Sequence, residues 1–232
     1  LRALGETATE TPLAWLADDD AFAQMTMIDG LEYFYEGGTI VLTPPLGNRE
    51  VLMRVLGSKF NVAEYYHPNS RSAVDDLIRT QRNAMGISLL PHSNAGVEIL
   101  KSKLTKGEVV TLCPDQQPRL RSGEFVPFFG EPALTSTVLA LLIKQTRAPV
   151  VLGAALRSRQ GFRVMLSPCP IDPGQPIPCV LTDINRHLEQ AIRTHPGEYR
   201  WSDKRFNIRP PGMEKVYRRR SRHRRRIPEP LQ

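Results

Sequence analysis

The chain has 232 residues, of which 41% are hydrophobic and 24% are charged, a composition that fits one folded domain with a sizeable core. Its net charge of +7 does not indicate a basic domain, because residues 218–232 contain seven arginines and one glutamate and hold most of that excess. Three cysteines, Cys113, Cys169 and Cys179, lack Cys-x-x-Cys spacing, which argues against a disulfide framework or a zinc site and fits a reducing compartment. We therefore expect no metal and no cofactor.

Membrane-targeting features are also missing from the sequence. No apolar run reaches the roughly 18 residues that a membrane-spanning helix needs. The first twenty residues are acidic and do not resemble a signal peptide. Residue 1 is leucine, so we expect a truncated N-terminus, and an anchor upstream of it would lie outside this sequence.

Alternating strand and helix patterns begin near residue 38. In chain order, the predicted elements are a strand at 39–42, a helix at 48–57, a strand around 65–66, a helix at 73–84, a strand at 87–90, a helix at 94–104, a strand at 107–112, a helix at 134–146, a hairpin of strands at 149–156 and 161–166, and a helix at 181–194. This alternation predicts an α/β fold in one domain, with a central, mostly parallel or mixed sheet flanked by helices. We expect residues 1–37 to be a lead-in, 38–217 the domain and 218–232 a basic disordered tail.

Two loops leave the carboxyl ends of predicted strands, where ligands bind in sheets of this kind. The first runs from Thr43 to Glu50 and the second from Cys113 to Pro118. Taken alone, each carboxylate in these loops also fits a simple turn or helix-capping role. Their expected position at one sheet edge is what predicts a site.

The first loop and the residue before it read Leu-Thr-Pro-Pro-Leu-Gly-Asn-Arg-Glu at 42–50. This segment resembles a motif of lysophospholipid-type acyltransferases, in which a strand leads into His-x4-Asp/Glu. The branch that acylates lipid A often has Pro-His-Leu-Gly-Asn-Trp-Glu. The matching residues here are Pro44, Leu46, Gly47, Asn48 and Glu50. Pro45 stands at the histidine position and Arg49 at the tryptophan position.

Further motifs in the same order extend this resemblance to the lipid A late acyltransferase (lauroyl/myristoyl transferase) family over residues 38–217. They are the helix leading to Arg82, the strand and turn ending in Pro114-Asp115-Gln116, the segment 125–135, and an ending that includes His195, Tyr199, Trp201, Arg205, Phe206 and Arg209. Asp203 departs from this ending, since the family commonly has histidine there. The resemblance implies a glycerol-3-phosphate-acyltransferase-like fold.

The resemblance also implies transfer of a fatty acyl group from acyl carrier protein or acyl-CoA to a hydroxyl of a lipid A precursor. The implied catalytic residues are Glu50 and Asp115, and the implied substrate-binding residues are Arg82, Asn48 and Gln116. In the family, the motif histidine is the general base that activates the hydroxyl.

Pro45 has no titratable group, so a catalytically impaired pseudoenzyme that keeps the fold and lipid binding is the alternative. His92 follows a predicted strand, but five residues separate it from Glu98 instead of four, and His67 fits a loop. Neither is an obvious replacement for the missing base.

The arginine-rich segment 218–226 has three interpretations: a solvated tail, a membrane-surface anchor and a polyanion-binding tail. The family resemblance favours the membrane surface and implies a peripheral protein on the cytoplasmic face of the inner membrane in a Gram-negative bacterium. No specific nucleic acid is expected, because the body lacks a recognised binding motif.

Overall fold

Seven strands form one mixed sheet in the order β1-β9-β8-β2-β5-β3-β4, and a hairpin of β6 and β7 forms a second sheet. The computed structural model describes residues 2–34 and 37–217, so the predicted basic tail lies outside the described residues. The strands are β1 Thr26–Asp29, β2 Thr39–Leu42, β3 Val62–Tyr66, β4 Ser88–Pro91, β5 Val109–Leu112, β6 Gly123–Phe128, β7 Glu131–Ser136, β8 Val150–Ser158 and β9 Gly161–Pro168. The helices are α1 Arg2–Leu16, α2 Asp19–Gln24, α3 Arg49–Lys59, α4 Ser72–Ala84, α5 Asn94–Thr105, α6 Thr137–Thr146 and α7 Ile177–Thr194.

The central strands β8, β2, β5, β3 and β4 are parallel, whereas β9 runs antiparallel to β8. β2 and β5 are buried at every residue, as expected for apolar strands covered on both faces. One apolar core, with α5, α6 and α7, covers one side of the sheet, and a second core, with α1 and α3, covers the other. The predicted α/β class with a flanked, mixed sheet is confirmed.

The first 34 residues contain structure that the sequence patterns did not indicate. α1 packs on α3, and β1 extends the main sheet by pairing in parallel with β9. β1 has only four residues, which alternate between partly buried and exposed, so it lacks the apolar run that identified the inner strands. The described residues 2–34 of the predicted lead-in therefore share the sheet and packing of the domain.

The helix predicted at 134–146 was wrong in its first turn. Residues 134–136 belong to β7, which pairs antiparallel with β6, and α6 begins only at Thr137. The reversal between the two strands uses Phe129 and Gly130, both at positive φ. At residues 134–136, the hydrogen bonds to β6 therefore outweigh the helical preference of the apolar sequence.

Within the described residues, no helix combines the length and the apolar character required to cross a bilayer.

Candidate functional site

The turn after β2 is fixed by close backbone contacts. Gly47 has φ of +69°, and an added Cβ would lie 2.0 Å from the carbonyl oxygen of Ala155, so only glycine fits without rearrangement. The backbone N–H of Asn48 donates to the same carbonyl at 2.8 Å. These contacts set the direction in which α3 starts.

Asn48 is the N-cap of α3 and is fully buried. Its side-chain oxygen accepts from the backbone N–H of Glu50 at 3.0 Å, and its amide nitrogen donates to Glu10 at 3.1 Å. Both ends of the side chain are thus bonded within the protein, as is typical of a helix cap. Asn48 therefore orients the first turn of α3, the turn that holds Glu50.

Glu50 lies one residue inside α3 and binds Arg82 from α4. The two terminal nitrogens of Arg82 donate to the two carboxylate oxygens of Glu50 at 2.6 and 3.0 Å. The indole N–H of Trp15 donates to Glu50 as well, at 2.7 Å. Paired guanidinium–carboxylate hydrogen bonds of this kind hold both groups in a defined orientation.

Arg82 is fully buried and also donates through Nε to Glu64 at 2.7 Å. Arg49 completes the network by donating to the other oxygen of Glu64 at 2.8 Å. Two arginines and two glutamates therefore alternate across α3, β3 and α4, and every charge has an opposite charge beside it. Such pairing offsets the cost of removing these groups from water.

The pKa values follow from this network. Burial alone would raise the pKa of Glu50, but the hydrogen bonds and charge of Arg82, aided by Arg49 and Trp15, hold it below the usual 4.5. For Glu64, burial is likewise outweighed by Arg49 and Arg82, and the pKa is lowered. Both groups are anions at neutral pH and are weak proton acceptors.

Pro45 is buried in the turn, and its carbonyl oxygen accepts from the backbone N–H of Arg200 at 2.9 Å. Among the described residues, the side chains that donate to Glu50 are Arg82 and Trp15, and no imidazole is bonded to it. The motif carboxylate is therefore bonded to an arginine and an indole, and Pro45, at the histidine position, adds no base beside it.

Asp115 follows β5 and is buried against the C-terminal part of the domain. It accepts a hydrogen bond from the hydroxyl of Tyr199 and lies 3.2 Å from Nε of Arg205. Burial raises the pKa of Asp115, although the charge of Arg205 and the bond from Tyr199 oppose this. The next residue, Gln116, is exposed.

One cleft of about 640 Å³ joins the two loops. Its lining includes Glu50, Arg82, Asp115 and Gln116. We call it the Glu50 cleft. It opens where β2, β3 and β5 end, the edge at which the sequence placed the site. Four of the five predicted site residues line this cleft, and Asn48 does not.

Several residues of the site were not predicted from the sequence. Glu64 had a signal, because it is a charged residue inside the apolar strand β3. Arg49 was noted only as a departure from the family motif. Trp15 and Tyr199 reach the predicted carboxylates from distant parts of the chain, with 35 and 84 residues of separation. The described residues contain no group of His, Cys, Asp and Glu side chains suited to a metal ion.

Comparisons with known proteins agree with this architecture. The model of the bacterial lipid A biosynthesis acyltransferase family matches residues 1–207. The chain is 28% identical to the lipid A biosynthesis lauroyltransferase of Escherichia coli K12, over 92% of this chain and 72% of the relative. It is 24% identical to the palmitoleoyltransferase of the same organism, over 93% and 72% of the two chains. A lipid A biosynthesis acyltransferase of Haemophilus influenzae is 26% identical over 90% of this chain and 70% of its own length. Because the family model matches residues 1–207, the chain belongs to the bacterial lipid A biosynthesis acyltransferase family.

Proposed function

We propose that the Glu50 cleft transfers a fatty acyl group from a thioester of acyl carrier protein or coenzyme A to a hydroxyl of a lipid A precursor. The observation that carries this proposal is the convergence of Glu50, Arg82 and Asp115 on one cleft at the carboxyl edge of the sheet. Family membership supplies the reaction class.

In this reaction, the acceptor oxygen forms a bond to the acyl carbon, the carbon–sulfur bond of the thioester breaks, and the proton of the hydroxyl ends on the departing sulfur, which leaves as a thiol. An alcohol is a poor nucleophile unless a base removes that proton. Glu50 is unsuited to this task because Arg82 holds its pKa low. We assign Glu50 and Arg82 to positioning, and Gln116, exposed at the cleft, to hydrogen bonding with substrate.

A second candidate function is substrate binding with little or no transfer. One observation favours it: Pro45 occupies the position of the motif base, and no imidazole is bonded to Glu50 among the described residues. Loss of a general base typically lowers the rate about 10²- to 10⁴-fold. The cleft itself does not depend on that base.

The test is an acyl-transfer assay on the purified chain, with lipid A precursor as acceptor and acyl carrier protein or coenzyme A thioesters as donors, read by mass spectrometry. Transfer above the rate of a Glu50→Gln variant supports the first function. Binding of the precursor without product supports the second. Neither binding nor transfer would overturn both.

We further propose that the protein is peripheral on the cytoplasmic face of the inner membrane. Val74 and Leu77 of α4 are exposed apolar residues, and Val74 also lines the Glu50 cleft, so an apolar rim adjoins the site. Basic residues 218–226 would add attraction to anionic lipid. Cosedimentation with anionic vesicles tests this, with a Val74→Ser/Leu77→Ser variant and a deletion of 218–232 as comparisons. Unchanged sedimentation of both variants would contradict the proposal.

A further inference from the structure

A second cavity of about 550 Å³ adjoins the Glu50 cleft. Five residues line both spaces: Tyr65, His67, Cys113, Gln116 and Gln117. The two spaces therefore meet at these side chains, so one extended molecule could have its reacting end beside Glu50 and another group in the second space. We call it the basic cavity because of its lining.

The basic cavity is lined by four basic side chains, His67, His92, Arg119 and Arg121, and by no aspartate or glutamate. Arg119 and Arg121 are exposed in the loop between β5 and β6. Neither is ion-paired with a carboxylate in the part of the chain that the structure describes. Their positive charge is therefore not neutralised within the cavity.

The Glu50 cleft differs in this respect. It is lined by Arg49, Arg82, Arg200 and His67, but also by Glu50, Glu64, Asp115 and Asp203. Its arginines form ion pairs with these acids, as in the contact of 2.8 Å between Arg200 and Asp203. The unpaired positive charge therefore lies in the basic cavity, which adjoins the Glu50 cleft.

The histidines of the basic cavity are held by aromatic contacts. The ring of His92 stacks on Tyr65 at a centroid distance of 3.8 Å, and His67 meets His92 edge-on at 5.2 Å. Ser93 and Asn94 add polar groups to the same wall. The cavity thus combines polar groups and stacked rings with two exposed guanidinium groups.

We propose that the basic cavity binds a phosphate group of a substrate whose reacting end lies in the Glu50 cleft. Guanidinium groups match the geometry of phosphate oxygens and bind them through paired hydrogen bonds. The phosphate has two possible sources: the phosphopantetheine arm of the acyl donor, or the phosphorylated sugar of the acceptor. The link to a substrate rests on the proposed function, whereas the binding of phosphate does not.

The first test measures the affinity of the full chain for inorganic phosphate by titration calorimetry at constant ionic strength. The double variant Arg119→Gln/Arg121→Gln should lose about tenfold in affinity, since both ligating cations are removed. Arg159→Gln is the matched control, because Arg159 is an exposed arginine in the turn between β8 and β9, outside the cavity. A loss below threefold, an equal loss in the control, or no measurable phosphate binding would overturn the proposal.

The second test identifies the source by competition. Coenzyme A and glucosamine 1-phosphate are each titrated against bound phosphate; displacement by the first assigns the donor, and displacement by the second assigns the acceptor. Displacement by neither overturns the link to a substrate. The acyl-transfer assay remains a separate readout, so a chain without transfer that still binds phosphate through Arg119 and Arg121 refutes only the proposed function.

Discussion

Arg82 binds both oxygens of the Glu50 carboxylate, with nitrogen–oxygen distances of 2.6 and 3.0 Å. This pair joins the start of α3 to the last turn of α4, and Arg82 reaches further to Glu64 on β3. The residue at the acid position of the motif is thus part of a buried ionic network that supports the cleft. The negative charge of Glu50 is therefore held by Arg82 in the protein without substrate.

Replacing Arg82 with leucine should destabilise the protein by about 3–5 kcal/mol, because Glu50 and Glu64 would lose their shared, fully buried partner. The free energy of unfolding from urea titration at pH 7 measures this. Arg186→Leu is the control, since Arg186 forms an exposed pair with Asp183 and should cost less than about 1 kcal/mol. Equal effects of the two substitutions would contradict the buried network.

The network also predicts how stability depends on acid. The pKa values of Glu50 and Glu64 lie below 4.5 in the folded protein. At pH values between the pKa of the folded protein and 4.5, the unfolded chain binds more protons than the folded protein. The lowered pKa values therefore add to the free energy of unfolding above about pH 4.5, and this contribution is lost as the pH falls through the pKa of the folded protein. The urea concentration at the midpoint of unfolding, measured from pH 7 to pH 3, should therefore fall below about pH 4.5.

The matched variant for this pH series is Glu64→Gln, which removes one of the two groups with a lowered pKa. Its unfolding free energy should fall less steeply with acid, by up to about 1.4 kcal/mol per pH unit for a single group. An unchanged slope would show that Glu64 has an ordinary pKa in the folded protein.

Pro45→His should raise the rate of acyl transfer by about 10²- to 10⁴-fold if the rest of the cleft is competent. The new imidazole would stand at the motif position, and the backbone carbonyl that accepts from Arg200 is retained. Pro45→Ala removes the proline ring without adding a base and should leave the rate unchanged. Equal rates for both variants would show that the base position is not what limits transfer.

Gly47→Ala should destabilise the protein by about 2–5 kcal/mol, because it combines a positive φ with a Cβ that meets the Ala155 carbonyl at 2.0 Å. Gly130→Ala is a control with φ of +80° and open space around the added Cβ, so only the conformational cost of about 1–2 kcal/mol applies. Thermal and urea unfolding of the two variants test the difference. A smaller loss for Gly47→Ala than for Gly130→Ala would contradict the close approach of the turn to β8.

The sequence by itself determined the α/β class, the inner strands and the loops that carry Glu50 and Asp115. β2 and β5 were recognisable because strands buried on both faces are continuous apolar runs. The position of the cleft agrees with the rule that parallel strands end at one edge of the sheet. Pro45 was equally visible, since a substitution within a local motif needs no knowledge of the fold.

Only the tertiary structure decided which partners those residues have. Trp15, Arg82 and Tyr199 lie 32 to 84 positions along the chain from the carboxylates that they contact, and no local pattern encodes such contacts. The same holds for β1, whose four residues become a strand through pairing with β9. The ionisation of Glu50 depends on the balance between burial and the Arg82 charge, and that balance exists only when α3, β3 and α4 pack together.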